Sequence, residues 1–143
     1  MRVLFVCLGN ICRSPAAEGV VRAKAPEWET DSAGTSDWHV GEPPYGPMQS
    51  AALARGIDLS GLRARQFKRK DFNDFDLIVV MDQGNLSDVE ALRPVNSETP
   101  IRLMTAFDPN AADHVPDPYS TRDFNGCLEL IERCAAGLVR QYT

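Results

Sequence analysis

Arg2-Val3-Leu4-Phe5-Val6-Cys7-Leu8-Gly9-Asn10-Ile11-Cys12-Arg13-Ser14-Pro15-Ala16-Ala17, almost at the start of the chain, decides the fold. Residues 3–6 are a continuous apolar run rich in branched side chains, as in a strand buried on both faces, and the turn-forming pair Gly9-Asn10 follows closely. Pro15 suits the first turn of a helix, where its missing N–H costs nothing. Ala16, Ala17, Val20, Val21 and Ala25 then recur at helical spacing. The order is strand, loop, helix.

The same alternation continues outward. Residues 30–33 read as a second strand, 76–81 as the clearest buried strand in the middle of the chain, and 101–104 as a fourth. Helices are predicted over 48–55, stopping at Gly56, and over 85–92. A closing amphipathic helix over 122–141 places Phe124, Cys127, Leu128, Ile131, Cys134 and Leu138 on one face. Cys127 and Cys134 are therefore expected in the core. Two long loops, 34–47 and 105–120, remain, and Arg63, Arg65, Lys68, Arg69 and Lys70 read as a solvated basic face. Right-handed crossovers between such strands put helices on both faces of a mostly parallel sheet. The expectation is an α/β fold: a single three-layer domain over residues 1–143, with a four-stranded parallel sheet flanked by helices. Its binding crevice would lie beyond the carboxyl end of the first strand, where Cys7 emerges.

Composition narrows the function. A chain of 143 residues with 43% hydrophobic and 24% charged residues is ordinary for a globular protein. The net charge of -5 and pI near 5.0 argue against general nucleic-acid binding, so any anion site must be local. The initial apolar run stops too early for a signal peptide, and no apolar stretch reaches membrane-spanning length. A cytoplasmic location is expected, with the four cysteines as thiols.

The chemistry lies in the loop from Cys7 to Ser14. Gly9, and to a lesser extent Asn10, can take the left-handed backbone that turns successive N–H groups inward, and the positive end of the next helix adds to that nest. Arg13 offers a planar fork for two phosphate oxygens, which the point charge of lysine does not reproduce. The same donors favour the nucleophilic thiolate of Cys7. Ser14 can donate its hydroxyl to that sulfur, or else cap the helix. A lone cysteine at a strand end reads as a small buried hydrophobe. Cys, Gly, Asn, Arg, Ser and Pro in this order between strand and helix point instead to phosphate chemistry. No Gly-Lys-Ser or Gly-Lys-Thr is present, which excludes the glycine-rich nucleotide loop.

The run from Cys7 to Pro15 resembles the N-terminal signature of the low-molecular-weight protein tyrosine phosphatase family. Asp31-Ser32-Ala33-Gly34-Thr35, Arg65-Gln66, Phe75-Asp76, Met81-Asp82 with Asn85-Leu86, and Asp117-Pro118-Tyr119 resemble further family landmarks, in order, so the resemblance spans nearly the whole chain. It implies hydrolysis of phosphotyrosine and small aryl phosphates through a phosphocysteine intermediate, with phosphotyrosine proteins as partners and no metal or cofactor. Cys7 would be the nucleophile and Arg13 the phosphate and transition-state ligand. Leu8, Gly9, Asn10, Ile11, Cys12 and Ser14 would complete the phosphate site. Asp117, by itself only a turn signal, would act as general acid and then general base. Trp38 and Tyr119 resemble the aromatic walls that admit a flat phenyl ring, loop anchoring being the alternative for Trp38. Ser32 would bond Asn10 and Asp82 would orient Arg13, although both could be ordinary caps. Cys12 would join Cys7 in a reversible protective disulfide.

Two positions depart from the family pattern. Leu62 stands where many members have a histidine that steadies the phosphate loop, and Ser120 where many eukaryotic members have a second tyrosine. His39 and His114 lack metal-ligand company and read as loop or solvent residues. The rival functions are an arsenate reductase on the same scaffold and a non-catalytic phosphoprotein-binding module. The first needs relay thiols, which Val80, Met81, Asp82 and Gln83 do not supply after the middle strand. Retention of both Cys7 and Asp117 argues against the second.

Overall fold

The computed structural model describes residues 1–143. Four strands, β1 (Arg2–Cys7), β2 (Glu29–Gly34), β3 (Leu77–Val80) and β4 (Ile101–Leu103), form one sheet in the order β2-β1-β3-β4. Every pairing is parallel, with Cys7 opposite Gly34 and Val6 opposite Val80. β1 is thus central, and Val3, Leu4, Phe5 and Val6 are all fully buried. Burial of each such side chain stabilises the fold by about 2 kcal/mol.

The twofold period of the strands divides the core. Val3, Phe5 and Cys7, with Leu77 and Val79, face α1 (Arg13–Lys24), α2 (Gly46–Leu53) and α6 (Phe124–Tyr142). Leu4 and Val6, with Ile78 and Val80, face Phe72 of α3 (Asp71–Asp74) and Val89 of α4 (Gln83–Glu90). Helices therefore cover both faces, as the alternating pattern predicts. No helix is long and apolar enough to cross a membrane.

The structure differs from the sequence reading in three places. The stretch 105–120 is not all loop, because Met104–Phe107 is a turn of 3₁₀ helix and Pro118–Thr121 is α5. The closing helix starts later than predicted: Arg122, at φ +65°, ends α5, and Asp123 caps α6 by accepting the Gly126 N–H at 2.9 Å, so the helix runs from Phe124 and not from Arg122. Arg65 does not belong to a solvated face. Its guanidinium is within 3.1 Å of both Asp31 and Asp71, and its backbone lies beside β2, where Gln66 bridges Gly34.

Candidate active site

β1 delivers Cys7 to the carboxyl edge of the sheet, and the chain winds round the space above it before α1 begins at Arg13. The carbonyls of this loop are drawn outward. Those of Cys7, Leu8 and Ile11 accept from the N–H groups of Thr35, Ser36 and Tyr45, at 2.9, 3.0 and 2.8 Å. The N–H groups of Leu8, Gly9, Ile11 and Cys12 have no partner within the protein. Four unpaired backbone donors in the loop that follows a thiol suit an anion.

The left-handed residue of the loop is Asn10, at φ +57°, and not Gly9 as the sequence reading expected. Asparagine tolerates that conformation, and here its side chain is fully engaged. Its Nδ2 donates to Ser14 Oγ at 2.8 Å and Ser32 Oγ at 2.9 Å, while its Oδ1 accepts the Arg65 N–H at 3.0 Å. These bonds brace the loop where Leu62, packed against the core, offers no hydrogen bond. Gly9 has a different use: a Cβ there would lie 3.1 Å from the ring of His39.

Cys7 is buried, with Ser14 Oγ at 3.0 Å from its sulfur and the Asn10 N–H donating to it at 3.3 Å. Arg13 is only 3% exposed. It donates to Asp82 Oδ2 at 2.7 Å and to the Val115 carbonyl at 3.0 Å, and Asp117 Oδ2 stands 3.8 Å from Nη2. Burial works against its charge, but Cys7, the Asp82 bond and Asp117 outweigh burial and raise its pKa further. Burial likewise opposes the Asp82 charge, yet bonds from Arg13 and from the Asn85 N–H hold its carboxyl below the usual range. Asp82 is both a helix cap, accepting from Asn85 at 2.8 Å, and the anchor of Arg13.

Asp117 caps α5 by accepting the Tyr119 N–H at 3.0 Å. Its other carboxylate oxygen is the one nearer Arg13. Tyr119 packs on Tyr45 with ring centroids 5.1 Å apart, and Arg122 lies against both rings. Trp38 is 71% exposed. A cavity of about 150 Å³ brings these parts together, lined by Cys7, Leu8, Gly9, Ile11, Cys12, Arg13, Trp38, His39, Asp117 and Tyr119.

Asn10 and Ser14, expected in the phosphate site, do not line the cavity, and neither do Ser32 and Asp82, which hold Asn10 and Arg13 by hydrogen bonds. The sequence reading missed His39 as a wall residue. It is paired with Glu42, and an isolated histidine in a loop carries no local sign of its position. The remaining thiols are held toward the protonated form by their surroundings. Burial first, then Cys7, pushes Cys12 up to about 12; burial alone is the leading cause that takes Cys127 to about 12 and Cys134 to about 11.

Comparison with known proteins agrees with this geometry. The model of the low molecular weight phosphotyrosine protein phosphatase family matches residues 2–143. A low molecular weight protein-tyrosine-phosphatase of Streptomyces coelicolor is 42% identical, over 96% of this chain and 91% of that protein. YfkJ of Bacillus subtilis, also a low molecular weight protein-tyrosine-phosphatase, is 39% identical over 91% of this chain and 88% of its own length. The crystal structure of YfkJ superposes with a TM-score of 0.93, covering 99% of this chain and 93% of that one. Wzb of Vibrio vulnificus, solved in complex with benzylphosphonate, is 26% identical with a TM-score of 0.88, covering 98% of this chain and 97% of that one. The chain belongs to the low molecular weight phosphotyrosine protein phosphatase family and is a hydrolase of that class.

Proposed function

We propose that this phosphatase hydrolyses phosphotyrosine and small aryl phosphates by attack of the Cys7 thiolate on phosphorus, with Asp117 protonating the leaving phenolate. The observation that carries the reading is the shared cavity, whose lining includes Cys7, Arg13 and Asp117 together. The four free loop N–H groups and the Arg13 fork bind the phosphoryl oxygens and strengthen their hold as charge develops in the transition state. Attack forms the S–P bond and breaks the P–O bond, and the phenolate leaves with the proton from Asp117. Asp117, now ionised, takes a proton from water as that water attacks the phosphocysteine. Cys7 departs as thiolate, eased by the Ser14 hydroxyl at 3.0 Å. Trp38 and Tyr119 at the rim favour a flat aryl group, and a phosphoserine side chain is too short to fill the slot between them. The benzylphosphonate bound to Wzb has an aryl ring beside a phosphoryl group and fits the same reading.

The test compares wild type, Cys7→Ser and Asp117→Ala on p-nitrophenyl phosphate and a phosphotyrosine peptide without added metal. Cys7→Ser should abolish turnover on both. Asp117→Ala should lose about 100-fold or more on the peptide but less on p-nitrophenyl phosphate, whose acidic leaving group needs less protonation. Wild-type turnover by Cys7→Ser would exclude the nucleophile assignment. Equal losses on the two substrates would exclude the acid.

A further inference from the structure

The catalytic loop rests on a buried carboxylate that the reaction itself does not use. Glu18, on α1, is only 3% exposed. Its Oε1 accepts the Ser32 hydroxyl at 2.7 Å and its Oε2 meets the guanidinium of Arg22. Burial raises the Glu18 pKa, with Ser32 and Arg22 working against that rise. Such burial is costly unless the oxygens are well bonded.

The directions of these bonds can be worked out from what each group is able to donate. An ionised carboxylate only accepts, so the Ser32 proton points at Glu18 and the Ser32 oxygen is left to accept from Asn10 Nδ2, 2.9 Å away. The other Nδ2 hydrogen goes to Ser14 at 2.8 Å, and the Arg65 N–H bonds Asn10 Oδ1, so the amide cannot flip without losing three bonds. Ser14 already accepts from Asn10, and its own proton is free for the Cys7 sulfur at 3.0 Å. The Ala33 carbonyl at 3.4 Å is the longer alternative.

We infer that Glu18 is a positioning residue of the catalytic loop: by taking the Ser32 hydroxyl proton it fixes Asn10 and, through Ser14, aims a hydrogen bond at the sulfur of Cys7. The inference rests on Cys7 being the nucleophile. Without an acceptor at position 18, the Ser32 hydroxyl is free to turn its proton toward Asn10 Nδ2, donor against donor. The amide then loses its fixed orientation.

The experiment measures p-nitrophenyl phosphate turnover, inactivation by iodoacetate at neutral pH, and thermal melting. The variants are Glu18→Ala, Glu18→Gln, Ser32→Ala and the double variant Glu18→Ala/Ser32→Ala. Glu18→Ala should lower kcat about tenfold, the equivalent of one buried hydrogen bond, and slow iodoacetate inactivation by a similar factor. KM should move less than about threefold. Glu18→Gln, which keeps an acceptor oxygen, should retain about half of wild-type kcat or more. Glu18→Ala should cost nothing further in the Ser32→Ala background, because its effect passes through Ser32.

Wild-type kcat in Glu18→Ala overturns the inference, as does a full tenfold loss repeated on top of Ser32→Ala. So does a Glu18→Gln that melts like wild type but is as slow as Glu18→Ala. If Glu18→Ala does not fold, Ser32→Ala carries the same expected loss, and its turning over like wild type overturns the inference. Cys7→Ser serves as the control. Turnover surviving in Cys7→Ser would undo the nucleophile assignment, whereas its loss beside a silent Glu18→Ala would undo this inference alone.

Discussion

Asp82 shows how one side chain can serve the fold and the site together, since its two oxygens cap α4 and hold Arg13. Its pKa lies below the ordinary 3.8 despite burial, because the Arg13 and Asn85 bonds favour the charged form. A carboxyl with a depressed pKa in the folded state contributes stability above its unfolded value, and that contribution is lost as pH falls through the folded value. Asp82→Asn should therefore cost about 2 kcal/mol at neutral pH, less than a fully buried pair because Asp82 keeps some solvent. Urea unfolding should show the gap to wild type narrowing below pH 3.8. An unchanged gap in acid would exclude the pair as its source. Arg13 could be read from the sequence as a phosphate ligand, but Asp82, far along the chain, came to notice only through the family resemblance. Residue chemistry alone does not specify long-range partners. Arg65 misled for the same reason: it stands in a run of basic residues, and only the fold brings Asp31 and Asp71 to it.

At the scale of elements, legibility followed length and period. β1 and β3 carry continuous apolar runs and α6 has nineteen residues of helical period, whereas α3 and α5 are four-residue turns that present neither signal. The later start of the closing helix turns on Arg122 at φ +65°, a conformation that arginine does not advertise. Two glycines mark where elements meet most closely. A Cβ on Gly137 of α6 would stand 1.9 Å from the Phe107 carbonyl oxygen, and one on Gly34 of β2 would stand 2.8 Å from the Leu8 carbonyl oxygen. Both neighbours are backbone, yet the consequences should differ. Gly137→Ala should destabilise by about 2 kcal/mol while the folded protein keeps its kcat/KM. Gly34→Ala should push on the phosphate loop and lower kcat/KM about tenfold or more. Melting curves alongside kinetics on p-nitrophenyl phosphate check both, and a Gly34→Ala enzyme with wild-type kinetics would show that the loop yields.

Across the whole molecule, the surroundings of one thiol differ from those of the other three. All four are buried and Cys12 lines the cavity beside Cys7, but burial raises the pKa values of Cys12, Cys127 and Cys134, whereas Cys7 has Ser14 Oγ and the Asn10 N–H against its sulfur. Native protein treated with iodoacetamide at about pH 7.5 should take up a single label, at Cys7, and all four thiols should react once the protein is unfolded. A second label in the native state, located by peptide mass, would contradict Cys7 being the one reactive thiol. The rate at which further labels enter then reports opening of the core.

The cavity is lined partly by residues with free backbone N–H groups and partly by aromatic side chains. For inhibitors, this separates potency from selectivity. A ligand drawing its affinity from the N–H groups of Leu8, Gly9, Ile11 and Cys12 binds atoms that every residue type except proline provides, so point substitution offers few routes to resistance there. Discrimination between this enzyme and its relatives must instead be sought at Trp38, His39 and Tyr119.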